Sequence, residues 1–153
     1  MTKLYGTIPL TDQLNMSGLE FVRGLASGSL PLNPLARILV YDVAMVAEGK
    51  VVVIGTASGE HLNPSGTVHG GIAATLLDTC MGLAIRTLVE KGKTSTTLEF
   101  KISFLKPIAA EAGLLHAEGL VLTCGQRIGT AEGRLTDASG RLLAHGTTTC
   151  LIT

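Results

Sequence analysis

Tryptophan is absent from this sequence, and two tyrosines and three phenylalanines make up its whole aromatic content. A stacking platform for single-stranded nucleic acid needs more aromatic faces than that. Neither charge sign is in excess. Twelve basic and 12 acidic residues give a formal net charge of zero, whereas a general nucleic-acid or polyanion binder carries a basic footprint. Cysteine is scarce: Cys80, Cys124 and Cys150 are widely spaced, with no C-x-x-C pair and no Cys/His pattern of zinc spacing. The expectation is three reduced, mostly buried thiols, no metal site and a cytoplasmic location. The N-terminus lacks a basic segment followed by an apolar core, so no secretory signal is read there. The longest apolar run is interrupted by Asp78 and Arg86 and is too short for a membrane span. G-x-S-x-G is missing, no Ser-His-Asp or Cys-His set is legible, and His61, His116 and His145 fall into no pattern.

Glycine is what the chain has in quantity, 19 of 153 residues, with only 16% charged residues. That fits a sheet-rich protein with tight turns. The length is that of one domain, residues 1–153, with enough chain for a substantial core. Residues 1–34 read as an N-terminal arm and a cover helix, and 35–153 as the core. Ser17-Gly18-Leu19-Glu20 has the S-x-x-E form of a capping box, and Gly28, Pro31 and Pro34 end the helix it starts. Ile38 to Ala47 is a strand candidate. Glu48-Gly49-Lys50 is a hairpin turn, and Val51 to Ser58 is the returning strand, rich in β-branched residues. After a central helix ending near Lys91-Gly92, further strands are expected near 94–106, 111–124, 126–137 and 141–152. Asp137-Ala138-Ser139-Gly140 is the clearest hairpin between the last two. The fold class is therefore α+β, one long helix wrapped by an antiparallel sheet of about six strands.

The central helix follows a loop, Asn63-Pro64-Ser65-Gly66-Thr67-Val68-His69-Gly70-Gly71, made of turn residues. From Ile72 to Val89 apolar side chains fall on every face, the mark of an enclosed helix. Asp78 is the one carboxylate between Glu60 and Glu90. Burying a charge there is costly unless it is paired, hydrogen-bonded or open to a cleft. It is either a solvated or structural carboxylate or a catalytic one. The amides of Gly70 and Gly71 have no helical acceptor and stand at the positive end of the helix dipole, where they suit an oxyanion or a polarised carbonyl. Alternatively, the glycines only let the loop turn into the helix.

His69 and Asp78 are nine residues apart, about 13 Å of rise and half a turn of rotation. Their side chains point to opposite faces of one helix. If both ends of this helix act in one site, a second copy of the chain supplies one of them, and a twofold dimer does so twice.

Asn63-x-x-Gly66-x-x-His69-Gly70-Gly71, with Asp78 inside the following helix, resembles the signature of the PaaI-like hotdog acyl-CoA thioesterases. The similarity continues through Thr96-Thr97-Leu98-Glu99-Phe100-Lys101-Ile102-Ser103-Phe104-Leu105-Lys106-Pro107 and covers about residues 35–152. The resemblance implies the hotdog fold, dimerised through sheet edges, often with two dimers forming a tetramer. It implies hydrolysis of an acyl-CoA to a carboxylic acid and free coenzyme A, with coenzyme A as part of the substrate and no other cofactor. Asp78 would attack the thioester carbonyl or activate a water. The Gly70 amide would hold the thioester oxygen. Asn63 would bind the water or the thioester, unless it only closes a turn. His69 would orient the loop or donate to the substrate. Thr97, with Thr96 as the alternative register, would place a hydroxyl near the acid. Gly125-Gln126-Arg127 stands where relatives often carry Gly-Arg-Arg. Arg127, with Lys106 or Arg86, is thus a candidate for the coenzyme A phosphates. Two other readings compete: a non-catalytic acyl-CoA binding protein, and a hotdog hydratase or dehydratase. The Asn-x-x-Gly-x-x-His-Gly-Gly spacing favours hydrolysis.

Overall fold

A computed structural model describes residues 3–153, so the first two positions of the expected arm lie outside the described residues. Six strands form one antiparallel sheet: β1 (Tyr41–Ala47), β2 (Lys50–Thr56), β3 (Ser95–Phe104), β4 (Leu114–Cys124), β5 (Ile128–Asp137) and β6 (Leu142–Ile152), in the order β1-β2-β4-β5-β6-β3. Their alternating burial, as in Leu115, Ala117 and Gly119 of β4, is that of strands with one covered face. The cover is the long helix α4 (Gly70–Arg86), whose Leu76, Leu77, Cys80, Met81, Ala84 and Ile85 are fully buried against the sheet. The expected α+β arrangement, one helix on six antiparallel strands, is the one observed.

Glycine makes this packing close. Gly119, Gly133 and Gly146 are cross-strand neighbours on β4, β5 and β6, and they lie beneath α4. A Cβ on Gly119 would stand 2.3 Å from the Cys80 carbonyl oxygen, so the helix backbone rests on the bare strand. The glycine content therefore serves this trough as well as turns. Gly119→Ala is expected to lower stability by about 3 kcal/mol, because helix or strand must shift. Gly59→Ala, where nothing lies within 4 Å, should stay within about 0.5 kcal/mol. Urea unfolding of both variants checks the contrast.

The expectation of apolar residues on every face of α4 needs correction. Thr75, Asp78, Thr79, Gly82 and Leu83 recur at helical spacing and are only half-covered. They form a second face that looks away from the sheet towards the N-terminal segment. α4 also ends at Arg86, earlier than Lys91-Gly92. Thr87 Oγ1 donates to the Ala84 carbonyl at 2.6 Å and accepts the Gly49 N–H at 2.8 Å, which ties the end of the helix to the β1–β2 turn.

The N-terminal segment is more helical than expected. α1 (Leu10–Leu14) forms within the expected arm, and α3 (Pro34–Ile38) occupies the expected start of the first strand. Asn33 caps α3 through its side chain, and Pro34 sits at the first helical position, where its missing N–H costs nothing. Strand β1 accordingly begins at Tyr41 rather than Ile38. The capping box of α2 (Gly18–Ser27) is present in both directions, and the helix ends at Gly28 with φ +78°. α2 reaches α4 closely: the Gly18 N–H donates to the Val89 carbonyl at 2.8 Å, and a Cβ there would overlap the Arg86 carbonyl. All three cysteines are free; Cys80 and Cys150 are buried and Cys124 is exposed, in line with mostly buried thiols.

Candidate active site

Asp78 stands midway along α4, on the face away from the sheet, half-buried at the wall of a cavity of about 240 Å³. Thr97 of β3 donates its hydroxyl to Asp78 Oδ1 at 3.0 Å. Oδ2 has no hydrogen-bond partner among the described residues. The carboxylate is thus steered by one oxygen and open at the other. Thr96, also on the cavity wall, is exposed and makes no such bond. Cys150 lies behind Thr97, with Sγ 3.8 Å from Oγ1. Burial pushes its thiol up, against weaker downward hydrogen bonds from Thr97 and Thr148. It stays protonated at neutral pH and is a poor nucleophile. Burial likewise raises the Cys80 thiol, and that residue belongs to the core.

The start of α4 forms a second place. His69 is the N-cap, and its Nδ1 accepts the Gly71 N–H at 2.9 Å. With Nδ1 accepting, a neutral ring carries its proton on Nε2. His69 is exposed, so that donor faces outward. The cap settles one of the two glycine amides. The Gly70 N–H has no acceptor among the described residues and keeps the positive end of the helix dipole. Gly70 lines a separate cavity of about 280 Å³ with Thr67, Phe104, Lys106 and Pro107. Asn63 closes the loop before the helix: its Oδ1 accepts the Ser65 and Thr67 N–H groups at 2.9 and 3.2 Å, and its Nδ2 donates to Thr67 Oγ1 at 2.9 Å.

Within one chain, then, Asp78 and Thr97 share one cavity, and Gly70, next to the His69 cap, lines another; Asn63 and His69 line neither. Arg127 is exposed in the β4–β5 turn, near the C-terminal end of α4, where Gly129 packs on Ile85. Lys106 is exposed at the opposite end, beside Gly70. Arg86 is buried on the Asp78 cavity. The three cations considered together in the sequence therefore do not form one cluster.

Sequence reasoning passed over several residues of the Asp78 cavity: Gln13, Phe21, Asn33, Thr79 and Gly82. The N-terminal ones carry no readable signal, because tertiary folding brings them there. Gly82 and Arg86 do carry one. They follow Asp78 at steps of four and so share its helical stripe.

No metal-binding group of three or more His, Cys, Asp or Glu occurs among the described residues. No helix of the described residues is long and apolar enough to cross a membrane.

The family model of the thioesterase superfamily matches residues 65–144, just over half of the chain and the stretch from the pre-helix loop to β6. The chain belongs to the thioesterase superfamily. Human acyl-coenzyme A thioesterase 13 is 32% identical over 106 residues, covering 65% of this chain and 71% of that one. A Halobacterium salinarum protein named "Putative esterase" is 41% identical over 69 residues, and the match spans 44% of either chain. The crystal structure of a phenylacetic acid degradation-related protein from Ralstonia eutropha JMP134, titled a putative thioesterase, superposes with a TM-score of 0.78 at 28% identity. It covers 86% of this chain and 98% of that one. The PaaI-like resemblance and the hotdog fold are both borne out, and thioester hydrolysis is the reaction class of this superfamily member.

Proposed function

We propose that this thioesterase hydrolyses acyl-CoA thioesters through Asp78, with the partner subunit's Gly70 amide polarising the thioester carbonyl. The observation that carries the reading is the Asp78 carboxylate, held at one oxygen by Thr97 and open to a cavity at the other. A carboxylate so placed serves either as nucleophile, giving an acyl-enzyme anhydride that water cleaves, or as the base that deprotonates an attacking water. In either route the carbonyl oxygen gains negative charge. A free helix N-terminal amide suits that charge, because the donor and dipole need no rearrangement as it develops. The leaving thiolate departs as coenzyme A after taking the proton that Asp78 drew from water or, in the nucleophilic route, a proton from solvent.

The separation of the two cavities in one chain supports a twofold arrangement. Strand β3 is a sheet edge, paired on one side by β6 alone, and it exposes Leu98 at 56%, Phe100 at 42% and Phe104 at 61%. An apolar open edge of this kind is a template for pairing. Thr97, beside Asp78, lies near its start, and Phe104, beside Gly70, at its end. Two copies of β3 running antiparallel would bring the Asp78 end of one subunit to the Gly70 end of the other, in both sites at once.

Release of free thiol from a panel of acyl-CoAs, compared between wild type and Asp78→Asn, tests the reading. A wild type that releases no thiol from any member of the panel would overturn it. A smaller effect is expected at the steering residue. Thr97→Val should lower kcat by about 10-fold or more, the worth of a hydrogen bond to a charged group. Thr97→Ser, which keeps the hydroxyl, should stay near wild type. Equal rates in the two variants would remove the hydroxyl from the reaction.

A further inference from the structure

Arg86 is 4% exposed, yet none of its three guanidinium nitrogens has a hydrogen-bond partner among the described residues. It makes no ion pair with Asp78 or with any other carboxylate among the described residues. Its single specific contact is the Phe21 ring, whose centroid lies 5.0 Å from the guanidinium carbon. A ring face attracts a cation but offers its N–H groups no acceptor oxygen. Burial alone pushes the guanidinium below its ordinary value. Leaving a buried cation unpaired is costly, and five N–H donors in a planar fork fit a carboxylate in a two-bond grip.

The surroundings show where such a carboxylate would come from. Arg86 and Asp78 line the same cavity. They are eight residues apart on α4, about 12 Å between Cα atoms, and the arginine side chain leans back towards the helix start and shortens that gap. Gly82 lies between them on the same stripe and has no side chain. A Cβ there would have Thr97 Oγ1, at 3.8 Å, as its one neighbour, so no side chain stands on the helix face between Asp78 and Arg86. The far end is roofed by Phe21 and by the close approach of α2 at Gly18. The cavity as a whole, about 240 Å³, is small and opens to solvent, and its covered end suits the tip of an acyl chain.

We infer that Arg86 is a specificity residue for acyl groups that end in a carboxylate, so that the substrate class is ω-carboxyacyl-CoA, the half-thioesters of dicarboxylic acids. The inference rests on the proposed thioesterase reading. The thioester carbonyl lies at Asp78, the chain runs over Gly82, and the Phe21 ring that now lies against the guanidinium shifts to admit the terminal carboxylate to its enclosed nitrogens. A neutral acyl chain of the same length leaves the fork unpaired.

The test compares ω-carboxyacyl-CoAs of graded chain length with their terminal methyl esters, in wild type, Arg86→Met and Arg86→Lys. Wild type should show kcat/KM for the acid about 10- to 100-fold above that for the matched ester, as expected for charged hydrogen bonds gained in a buried site. Arg86→Met keeps the stem against Phe21 and should collapse that ratio towards one. Arg86→Lys keeps the charge without the fork and should fall between. The same pairs are titrated calorimetrically into Asp78→Asn, where binding is read without turnover, and the acid should again bind more tightly. The wild-type comparison requires no variant to fold. Equal kcat/KM and equal affinity for acid and ester overturn the inference, as does an Arg86→Met effect of the same size on both. That second pattern marks a contact with coenzyme A or a purely structural arginine. Turnover of the esters with no preference for the acids leaves the thioesterase reading standing and removes this one. Absence of thiol release from every thioester removes the thioesterase reading, and the calorimetric comparison then decides the role of Arg86 by itself.

Discussion

Replacing Asp78 with Asn is expected to lower kcat for acyl-CoA hydrolysis by about 10²–10⁴-fold, the range of a lost general base or nucleophile, and to leave acyl-CoA affinity within a few fold. The substitution is close in shape. The Asn carbonyl oxygen still accepts from Thr97, so the 3.0 Å contact and the local packing are retained. What disappears is the negative charge and the lone pair that attacks carbonyl carbon or draws the proton from water. Asp78→Ala removes the Thr97 acceptor as well and should be at least as impaired. Neither change should destabilise the fold, because a half-buried carboxylate held by a single hydrogen bond is itself costly to desolvate. Thermal unfolding should show an unchanged or raised midpoint. Thiol release read together with substrate titration separates the outcomes. Loss of turnover with retained binding supports the catalytic role, and full turnover in both variants removes Asp78 from the mechanism.

The residues that made the core of this site legible are those whose chemistry conflicts with their surroundings. A lone carboxylate in an apolar helix and a pair of glycines after a His stand out because burial and backbone geometry penalise them unless they have a use. The strands were legible from their β-branched runs, and the last hairpin from Asp137, whose side chain accepts the Ser139 and Arg141 amides. The N-terminal segment resisted because its signals compete. Ile38 to Ala47 is apolar enough for a strand, but Asn33 followed by Pro34 is a helix start, and the helix runs on to Ile38, so that the strand begins only at Tyr41. Gln13, Phe21 and Asn33 line the Asp78 cavity only because α2 docks on the end of α4 at Gly18, a contact between elements about 70 residues apart that no local pattern encodes. Arg86 read as a break in an apolar run, since nothing in the sequence shows that Phe21 would cover it.

Gly70→Pro is expected to lower kcat by about 10²–10³-fold, the effect of removing one oxyanion donor, and Gly70→Ala by far less. Gly70 is the first residue of α4 after the His69 cap. Proline is well tolerated at that position, since its missing N–H makes no helical bond and its fixed φ suits the helix. The residue before a proline must be extended, and His69 already is, with φ −59° and ψ 134°. The substitution therefore deletes the amide hydrogen with little demand on the backbone. A side chain at Gly70 also meets the Phe104 ring, 3.1 Å from an added Cβ, and Gly70→Ala measures that contact with the N–H still in place. Equal losses in the two variants would assign the effect to crowding rather than to the donor. The pair also tests whether sites are shared. When Asp78→Ala and Gly70→Pro subunits are mixed and allowed to exchange, each hybrid dimer built as proposed holds one site with both defects and one with none. Activity should therefore return on mixing two nearly inactive proteins, at up to half the wild-type rate per hybrid. If each subunit instead housed its own Asp78 and Gly70, every site in the hybrid would carry one defect and mixing would restore nothing. Native mass spectrometry confirms that hybrids have formed, so a lack of recovery then counts directly against a site built across the β3 edges.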